Sequence, residues 1–169
     1  MTRHIPPPSP QYISVVQGMP PARSLRLAAQ TMRPADRREV WASDGHTPLQ
    51  ALEAAFAASP LSWTILWGSH PAFCCGVAPG ASVVGNVGIP WMLGTTHFAA
   101  TASFTARWAR VAVARMQALY PLLTNYTHAG NAPALRFLRW CGFTLADTPC
   151  PHGHDRELFY QFWRFACAQ

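Results

Sequence analysis

The stretch "NAPALRFLRWCGFTL", residues 131–145, contains a helix, both of its ends and the start of a strand. Asn131 is a favoured N-cap residue, and the apolar residues after it recur at helical spacing. Gly142 supplies the positive φ that commonly ends a helix, and Phe143 opens a β-prone segment. The stretch therefore predicts a capped helix that leads directly into a strand.

The chain before this stretch begins with a strand and continues with helices. A short β-prone run at residues 12–16 predicts the first strand. Residues 22–42 have an amphipathic helical pattern, and Pro34 favours a new helix start within it. Thr47 is a good N-cap with a proline directly after it, which predicts the next helix.

The middle of the chain changes to a β pattern. Two aromatic-rich runs joined by "GSH" predict a hairpin with Gly68 in its turn, and the next strand is expected to bulge at Gly85 or Gly88. A long amphipathic helix is predicted from about residue 101 to residue 120. A strand, the helix described above and two final strands follow. This order predicts an α/β fold: a mixed central sheet of about six to seven strands, flanked by helices.

Length and composition indicate one ordered domain. The chain has 169 residues, and half of them are hydrophobic. We predict a Pro-rich extended arm together with the first strand at residues 1–19, and a single α/β domain at residues 20–169. The apolar runs are too short to span a membrane, and the start of the chain lacks the apolar segment of a secretory signal. These features indicate synthesis in the cytoplasm.

The charge is basic and the cysteines do not form a metal motif. All 13 basic residues are arginine, and the net charge of +6 favours acidic partners, but the arginines are scattered rather than clustered. Cys74 and Cys75 are adjacent in a strand-like run and are expected to point to opposite faces. "PCPHGHD", residues 149–155, is interpreted as a loop because proline and glycine interrupt it. We predict no metal site.

The order of elements and the opening stretch resemble the Gcn5-related N-acetyltransferase fold. Five residues match a motif that lies late in that family's sequences: Asn131, Ala134, Phe137, Gly142 and Phe143. In the family, this motif also has a tyrosine seven residues after the asparagine. The resemblance implies acetyl-CoA as cofactor. It also implies a phosphate-binding loop at the start of the long helix.

The expected phosphate-binding loop lacks the family's glycine pattern. The segment "MLGTTHFAATAS", residues 92–103, contains one glycine, Gly94. If the protein is active, the candidate cofactor-binding residues are Gly94, Thr95, Thr96 and Asn131, since amides at a helix start can bind an anion.

The usual acid and base are also absent from their expected positions. The proton donor of the family falls on Leu138, which cannot donate a proton. Residues 62–96 contain no Asp or Glu, and the nearby titratable groups are His70 and His97. We therefore expect no catalytic residues and a degenerate acetyltransferase fold that is not an enzyme. We also expect no cofactor, or acetyl-CoA if the protein is an active acyltransferase.

The acidic residues of the second helix are interpreted as a solvated, salt-bridged face. Asp36, Glu39 and Asp44 lie near Arg37 and Arg38 in the sequence. For Glu39 a role in binding is the alternative.

Three large apolar residues have two interpretations. Trp41 is placed with Val40 on the apolar side of an amphipathic helix, and a role in binding is the alternative. Trp91 and Met92 either pack in the core or line the cleft where relatives hold their coenzyme.

Four blocks resemble a family of phage proteins related to the small internal virion protein of short-tailed coliphages: residues 32–45, 76–79, 88–95 and 131–143. This resemblance implies a structural or assembly protein of a virion, made in the host cytoplasm. Other virion proteins are the implied partners, docked through the Pro-rich arm, with nonspecific contact to packaged DNA. The alternative is an active acetyl-CoA-dependent N-acyltransferase that modifies a host or phage protein.

Overall fold

A computed structural model describes residues 12–81 and 86–166, so the predicted arm at residues 1–11 lies outside the described chain. The described residues form one eight-stranded mixed sheet in the order β1-β2-β3-β4-β5-β8-β6, with β7 paired to β8. The strands are β1 Ile13–Gln17, β2 Leu61–Trp67, β3 His70–Pro79, β4 Val87–Gly94, β5 Leu122–His128, β6 Thr144–Leu145, β7 Cys150–His152 and β8 Glu157–Phe165. The helices are α1 Ala22–Gln30, α2 Pro34–Asp44, α3 Pro48–Ala58, α4 Ala102–Leu119 and α5 Ala132–Trp140.

The predicted fold class is confirmed, and the sheet has one strand more than the upper estimate. The additional strand is β7, which forms a hairpin with β8 around the positive-φ residues Gly153 and Arg156. The sequence predicts a loop for this segment because glycine and proline, which lacks an N–H donor, interrupt it. Pro151 can nevertheless lie in β7, because that strand pairs with β8 alone.

Local signals set the starts of the helices. α2 begins at Pro34. The side chain of Thr47 accepts a hydrogen bond from the amide of Gln50, whose own side chain accepts from the amide of Thr47, a reciprocal capping box. Asn131 caps α5 by accepting from the amide of Ala134 at 3.3 Å, as predicted.

The predicted hairpin is present, but the predicted bulge is elsewhere. β2 and β3 are antiparallel around Gly68, whose φ is +59°. The register shift lies between Ile65 and Leu66, whereas Gly88 pairs with Pro79 in regular register. Gly85 lies outside the described residues.

Each face of the sheet supports its own core. One core lies between the sheet and α4, with Trp63, Phe73 and Cys75 among its buried residues. The other lies under α1 and α3 and includes Leu52 and Cys74. The adjacent cysteines therefore point to opposite faces, which confirms the sequence prediction.

The functional site depends on a gap between two parallel strands. β4 and β5 pair at Val87–Leu122 and Gly88–Leu123, and no further backbone pair joins them among the described residues. Beyond these pairs, the Asn125 side-chain amide donates to the carbonyl of Pro90 at 3.0 Å. The rest of β4 and β5 encloses an opening in the sheet.

Within the two described ranges, no helix has both the length and the apolar character needed to cross a membrane.

Candidate active site

A cavity of about 480 Å³ occupies the opening between β4 and β5. Its walls combine residues of α2 on one side of the sheet with residues of α4 and α5 on the other. The polar residues that line it include Arg33, Asp36, Glu39, Asn125, Thr127 and Asn131. A concave, mostly apolar space with a few convergent polar groups is typical of a ligand site.

The first carboxylate of α2, Asp36, is hydrogen-bonded to the end of β4. Asp36 is 3% exposed, and its carboxylate accepts two hydrogen bonds from the Arg33 guanidinium, each at 2.9 Å. It also accepts the amide of Gly94 at 2.7 Å. Burial raises the pKa of Asp36, while Arg33 and the Gly94 amide act in the opposite direction. Asp36 therefore has a structural role at this end of the opening.

The second carboxylate lies one turn later and contacts the end of β5. Glu39 accepts a hydrogen bond from the Asn131 side-chain amide at 2.8 Å and one from the Thr127 hydroxyl at 3.4 Å. Desolvation raises the pKa of Glu39, hydrogen bonding by Asn131 lowers it, and the charge of Asp36 raises it further. A mostly buried carboxylate with a raised pKa in a cleft is a candidate general base.

A separate network holds α2 against the neighbouring strand β8. The amide of Gly130 donates to Nδ1 of His128 at 3.0 Å, so neutral His128 has its proton on Nε2. That nitrogen lies 2.5 Å from Oε2 of Glu157, which also accepts from Arg38 at 2.8 Å. Hydrogen bonds from His128 and Arg38 lower the pKa of Glu157. The network positions the turn of α2 that contains Glu39.

The prediction of a solvated acidic face is wrong for Asp36 and Glu39. Both face the opening because they share one stripe of α2 with buried Val40, at spacings of three and four residues. Asp44 is exposed, although it lies at the rim of the same cavity. The arginines Arg37 and Arg38 occupy the outer face.

The predicted phosphate-binding amides are already hydrogen-bonded within the protein. Those of Gly94, Thr95 and Thr96 donate to Asp36, to the carbonyl of Ala72 and to that of Thr31, respectively. The Thr95 hydroxyl, on a residue only 2% exposed, donates to the carbonyl of Pro71. The amides at 94–96 are therefore not free to cradle a phosphate, and the fourth candidate, Asn131, contacts Glu39 and caps α5.

The remaining sequence candidates for acid and base lie in different places. Leu138 lines the cavity. The rings of His70 and His97 are in contact at a tilt of 33°, with centroids 4.9 Å apart, and neither residue lines the cavity. Desolvation and the charge of His70 lower the pKa of His97. Neither histidine is placed to accept a proton in the opening.

Trp91 and Met92 pack against the cores, as the first interpretation predicts, and they also line the cavity. The Trp91 indole donates to the Ser59 hydroxyl at 2.8 Å. Trp41 is 51% exposed and contacts His154 edge to face. Trp41 therefore lies on the outer surface of α2, and its predicted place on the apolar side of the helix is wrong.

No group of three or more His, Cys, Asp or Glu side chains within the described ranges is arranged to hold a metal ion. The histidine of β7 has a different neighbour: His152 stacks on Tyr126 with ring centroids 3.8 Å apart. Both rings line the cavity on the α2 side. Sequence reasoning missed this pair because β7 was interpreted as a loop.

A second concavity of about 370 Å³ lies where the start of α4 meets α5. Phe98, Ala102 and Phe137 form part of its wall, and Arg136 and Trp140 lie at the α5 side. The guanidinium of Arg110 lies 5.1 Å from the centre of the Trp140 ring. This second concavity therefore combines aromatic surface with positive charge.

Known proteins resemble this chain in structure but not in sequence. No family model matches the chain, and no curated sequence matches it. The fold is similar to that of a Bacillus subtilis acetyltransferase in complex with CoA, at 9% identity and a TM-score of 0.62, covering 91% of this chain and 99% of that one. It is also similar to spermidine N-acetyltransferase from Vibrio cholerae in complex with CoA and spermine, at 9% identity and a TM-score of 0.64, covering 92% and 96%. A third similar structure is the IAA acetyltransferase from Bacillus cereus, at 10% identity and a TM-score of 0.59, covering 90% and 100%.

The expectation of a degenerate fold that is not an enzyme is contradicted, and the CoA in similar structures favours the alternative cofactor, acetyl-CoA, over none. The three solved structures described above are acetyltransferases, and two of them contain CoA. Residues 62–96 contain no carboxylate, but Glu39 reaches the opening from α2, outside that range. These similarities show that the chain has the Gcn5-related N-acetyltransferase fold.

Proposed function

We propose that this protein is an acyl-CoA-dependent N-acyltransferase in which the Glu39 carboxylate is the general base. The observation that carries the proposal is the position of Glu39, held by Asn131 in the opening between β4 and β5. Its raised pKa makes it a stronger base than an exposed carboxylate. The similar solved structures support the same class of reaction.

The residues of the opening suit transfer of an acyl group to an amine. A bound acyl-CoA would supply the thioester whose acyl carbon is the electrophile. Glu39 accepts the proton that the amine nitrogen loses as the new C–N bond forms and the C–S bond breaks, with the C–S bonding pair leaving on sulfur. Asn131 and Thr127 hold the carboxylate in place during the transfer.

Leucine at position 138 is compatible with this reaction. A thiol has an ordinary pKa of about 8.5, so a thiolate can leave near neutral pH and take its proton from water. Leu138 lines the cavity and contributes apolar surface instead of a proton. The protein therefore needs a base more than it needs a dedicated acid.

The shape and charge of the cleft fit a CoA thioester in part. The apolar opening suits the thioester arm. Arg136, together with Arg110 against the Trp140 ring, places positive charge at the second concavity, between α4 and α5. The amides of Gly94, Thr95 and Thr96 are engaged elsewhere. We therefore assign recognition of the phosphates to these arginines rather than to a backbone cradle.

Binding of acetyl-CoA tests the proposal directly. A ligand that binds the native state alone adds about 2.7 kcal/mol to its stability at a hundredfold excess over Kd, so the Tm should rise with acetyl-CoA concentration. Calorimetry and thermal melts provide the measurement, and ADP is the control because it lacks the thioester arm. No heat and no change in Tm at millimolar acetyl-CoA would exclude the proposed activity with an acetyl donor.

Replacing Asn131 with serine should move the acid limb of the pH–rate profile to higher pH. Serine can still cap α5, but it removes the hydrogen bond that holds the pKa of Glu39 down. Because the base must be ionised, the activity of the variant should appear at higher pH than that of the wild type. Initial rates between pH 5 and pH 9 give the comparison, and superimposable profiles would show that Asn131 does not act on the base.

The virion role stays a prediction that rests on the phage-like blocks. Nothing in the comparisons bears on a phage origin, on partner proteins or on location in a particle. An enzyme that modifies a host or phage protein is compatible with those blocks, so the two ideas are separable. Mass spectrometry of purified particles would address the virion role without affecting the proposed activity.

A further inference from the structure

The cavity continues past the opening and runs beneath α4. One stripe of that helix lines it with Thr105, Ala109, Ala112 and Met116, at successive spacings of four, three and four residues. At about 1.5 Å of rise per residue, this stripe is about 16 Å long. We call this part of the cavity the α4 compartment.

The other walls of the α4 compartment are apolar. The sheet contributes Phe73 and Met92, and α5 contributes Leu138 and Cys141. Burial raises the pKa of Cys141 to about 11, so its thiol is neutral at physiological pH. None of these described wall residues carries a charge, and an apolar space of this kind tends to remain dry.

Small side chains keep the α4 compartment open. Ala109 and Ala112 face it from the helix, where larger residues would fill the space against the sheet. Unfilled apolar space lowers stability, because the lining atoms lack contact partners on one side. A ligand that supplies those contacts is therefore bound favourably.

We propose that the α4 compartment binds a straight aliphatic acyl chain, longer than acetyl, carried by the donor thioester. This inference rests on the proposed function and identifies the class of its donor substrate. An acetyl group has two carbons and would contact only a small part of a lining stripe about 16 Å long. The compartment joins the opening that contains Glu39, so a chain inside it is connected to the site of transfer.

A series of acyl-CoAs tests the inference. Calorimetry with CoA and with straight-chain acyl-CoAs from acetyl to dodecanoyl should show affinity rising roughly fourfold for each added CH2, the equivalent of about 0.8 kcal/mol per buried CH2. The rise should stop when the α4 compartment is full. Equal affinity across the series would overturn the inference and leave the proposed function standing if CoA binds. Absence of binding by every member, CoA included, would overturn both.

A pair of matched substitutions in α4 tests whether the acyl chain binds in the α4 compartment. Ala112→Phe fills the α4 compartment and should reduce the affinity for long acyl-CoAs to that for acetyl-CoA, while CoA itself binds as before. Ala114→Phe is the control, because it places the same side chain on the exposed face of the same helix. If Ala112→Phe does not fold, Ala109→Leu is a smaller filling that should shorten the longest preferred chain. Unchanged chain-length dependence in the folded variant would overturn the inference.

Discussion

Replacing Glu39 with glutamine is expected to lower kcat/KM for acyl transfer by about 10²- to 10⁴-fold, the usual contribution of a general base. Glutamine has nearly the same shape and can still accept the hydrogen bond from Asn131, but it cannot take a proton from the amine. Release of free thiol, measured against amine concentration, gives the rate. The affinity for acetyl-CoA should not change, because the substitution leaves the apolar walls intact.

Glu53→Gln is the matched control for this substitution. Glu53 is exposed on α3 and lies outside the residues that line the cavity, so the same change of charge there should leave the rate unchanged. Full activity of Glu39→Gln would remove Glu39 from the mechanism. An equal loss in both variants would mean that net charge, rather than the base, determines the rate.

Replacing Phe73 with alanine is expected to lower the free energy of unfolding by about 3–5 kcal/mol. The side chain is 0% exposed and contacts the rings of Phe98 and Trp108 edge to face, at centroid distances of 5.5 and 6.1 Å. Its loss removes apolar burial and leaves space between β3 and α4 that alanine cannot fill. Urea denaturation followed by tryptophan fluorescence gives the two free energies from which the difference is taken.

Phe165→Ala is the control for packing. Phe165 is 65% exposed at the end of β8, and surface substitutions of this kind usually change the free energy of unfolding by at most about 0.5 kcal/mol. A cost for Phe73→Ala below about 1 kcal/mol would contradict the description of the core between the sheet and α4. A changed urea dependence would instead indicate an altered denatured state.

The fold could be predicted from the sequence because its boundaries depend on local chemistry. Pro34 starts α2, Thr47 caps α3, Asn131 caps α5, and Gly142 has the positive φ of +81° that ends that helix. Each of these signals acts within about one turn of its own residue. The periodicities between them then determine which elements are helices and which are strands.

The site could not be predicted in the same way because it depends on contacts that are distant in sequence. Asn131 is 92 residues from Glu39, and the Gly94 amide is 58 residues from Asp36. Charged residues near arginines usually lie on a solvated face, and that general tendency led to the wrong interpretation of α2. The signal that was present is the spacing of three between the carboxylates, which puts Asp36 and Glu39 on one stripe.

The absence of the family's motifs is weak evidence against enzymatic activity, because each motif is only one way to bind phosphate or to transfer a proton. The segment that contains Gly94 lacks the family's glycines, and the structure uses its amides to hold α2 and β3 in place. Positive charge for an anion can come instead from side chains such as Arg136. A missing motif therefore excludes a particular arrangement of groups and leaves the reaction open.

The two carboxylates of α2 also determine how wide the opening between β4 and β5 can be. Asp36 is tied to Gly94 and Glu39 to Thr127 and Asn131, so a single rigid rod joins the free ends of both strands. Residues three apart lie about 4.5 Å apart along a helix axis, and that length does not stretch. The spacing of the two carboxylates therefore sets how far these strand ends lie apart, so any ligand of the opening has to fit a width that α2 determines.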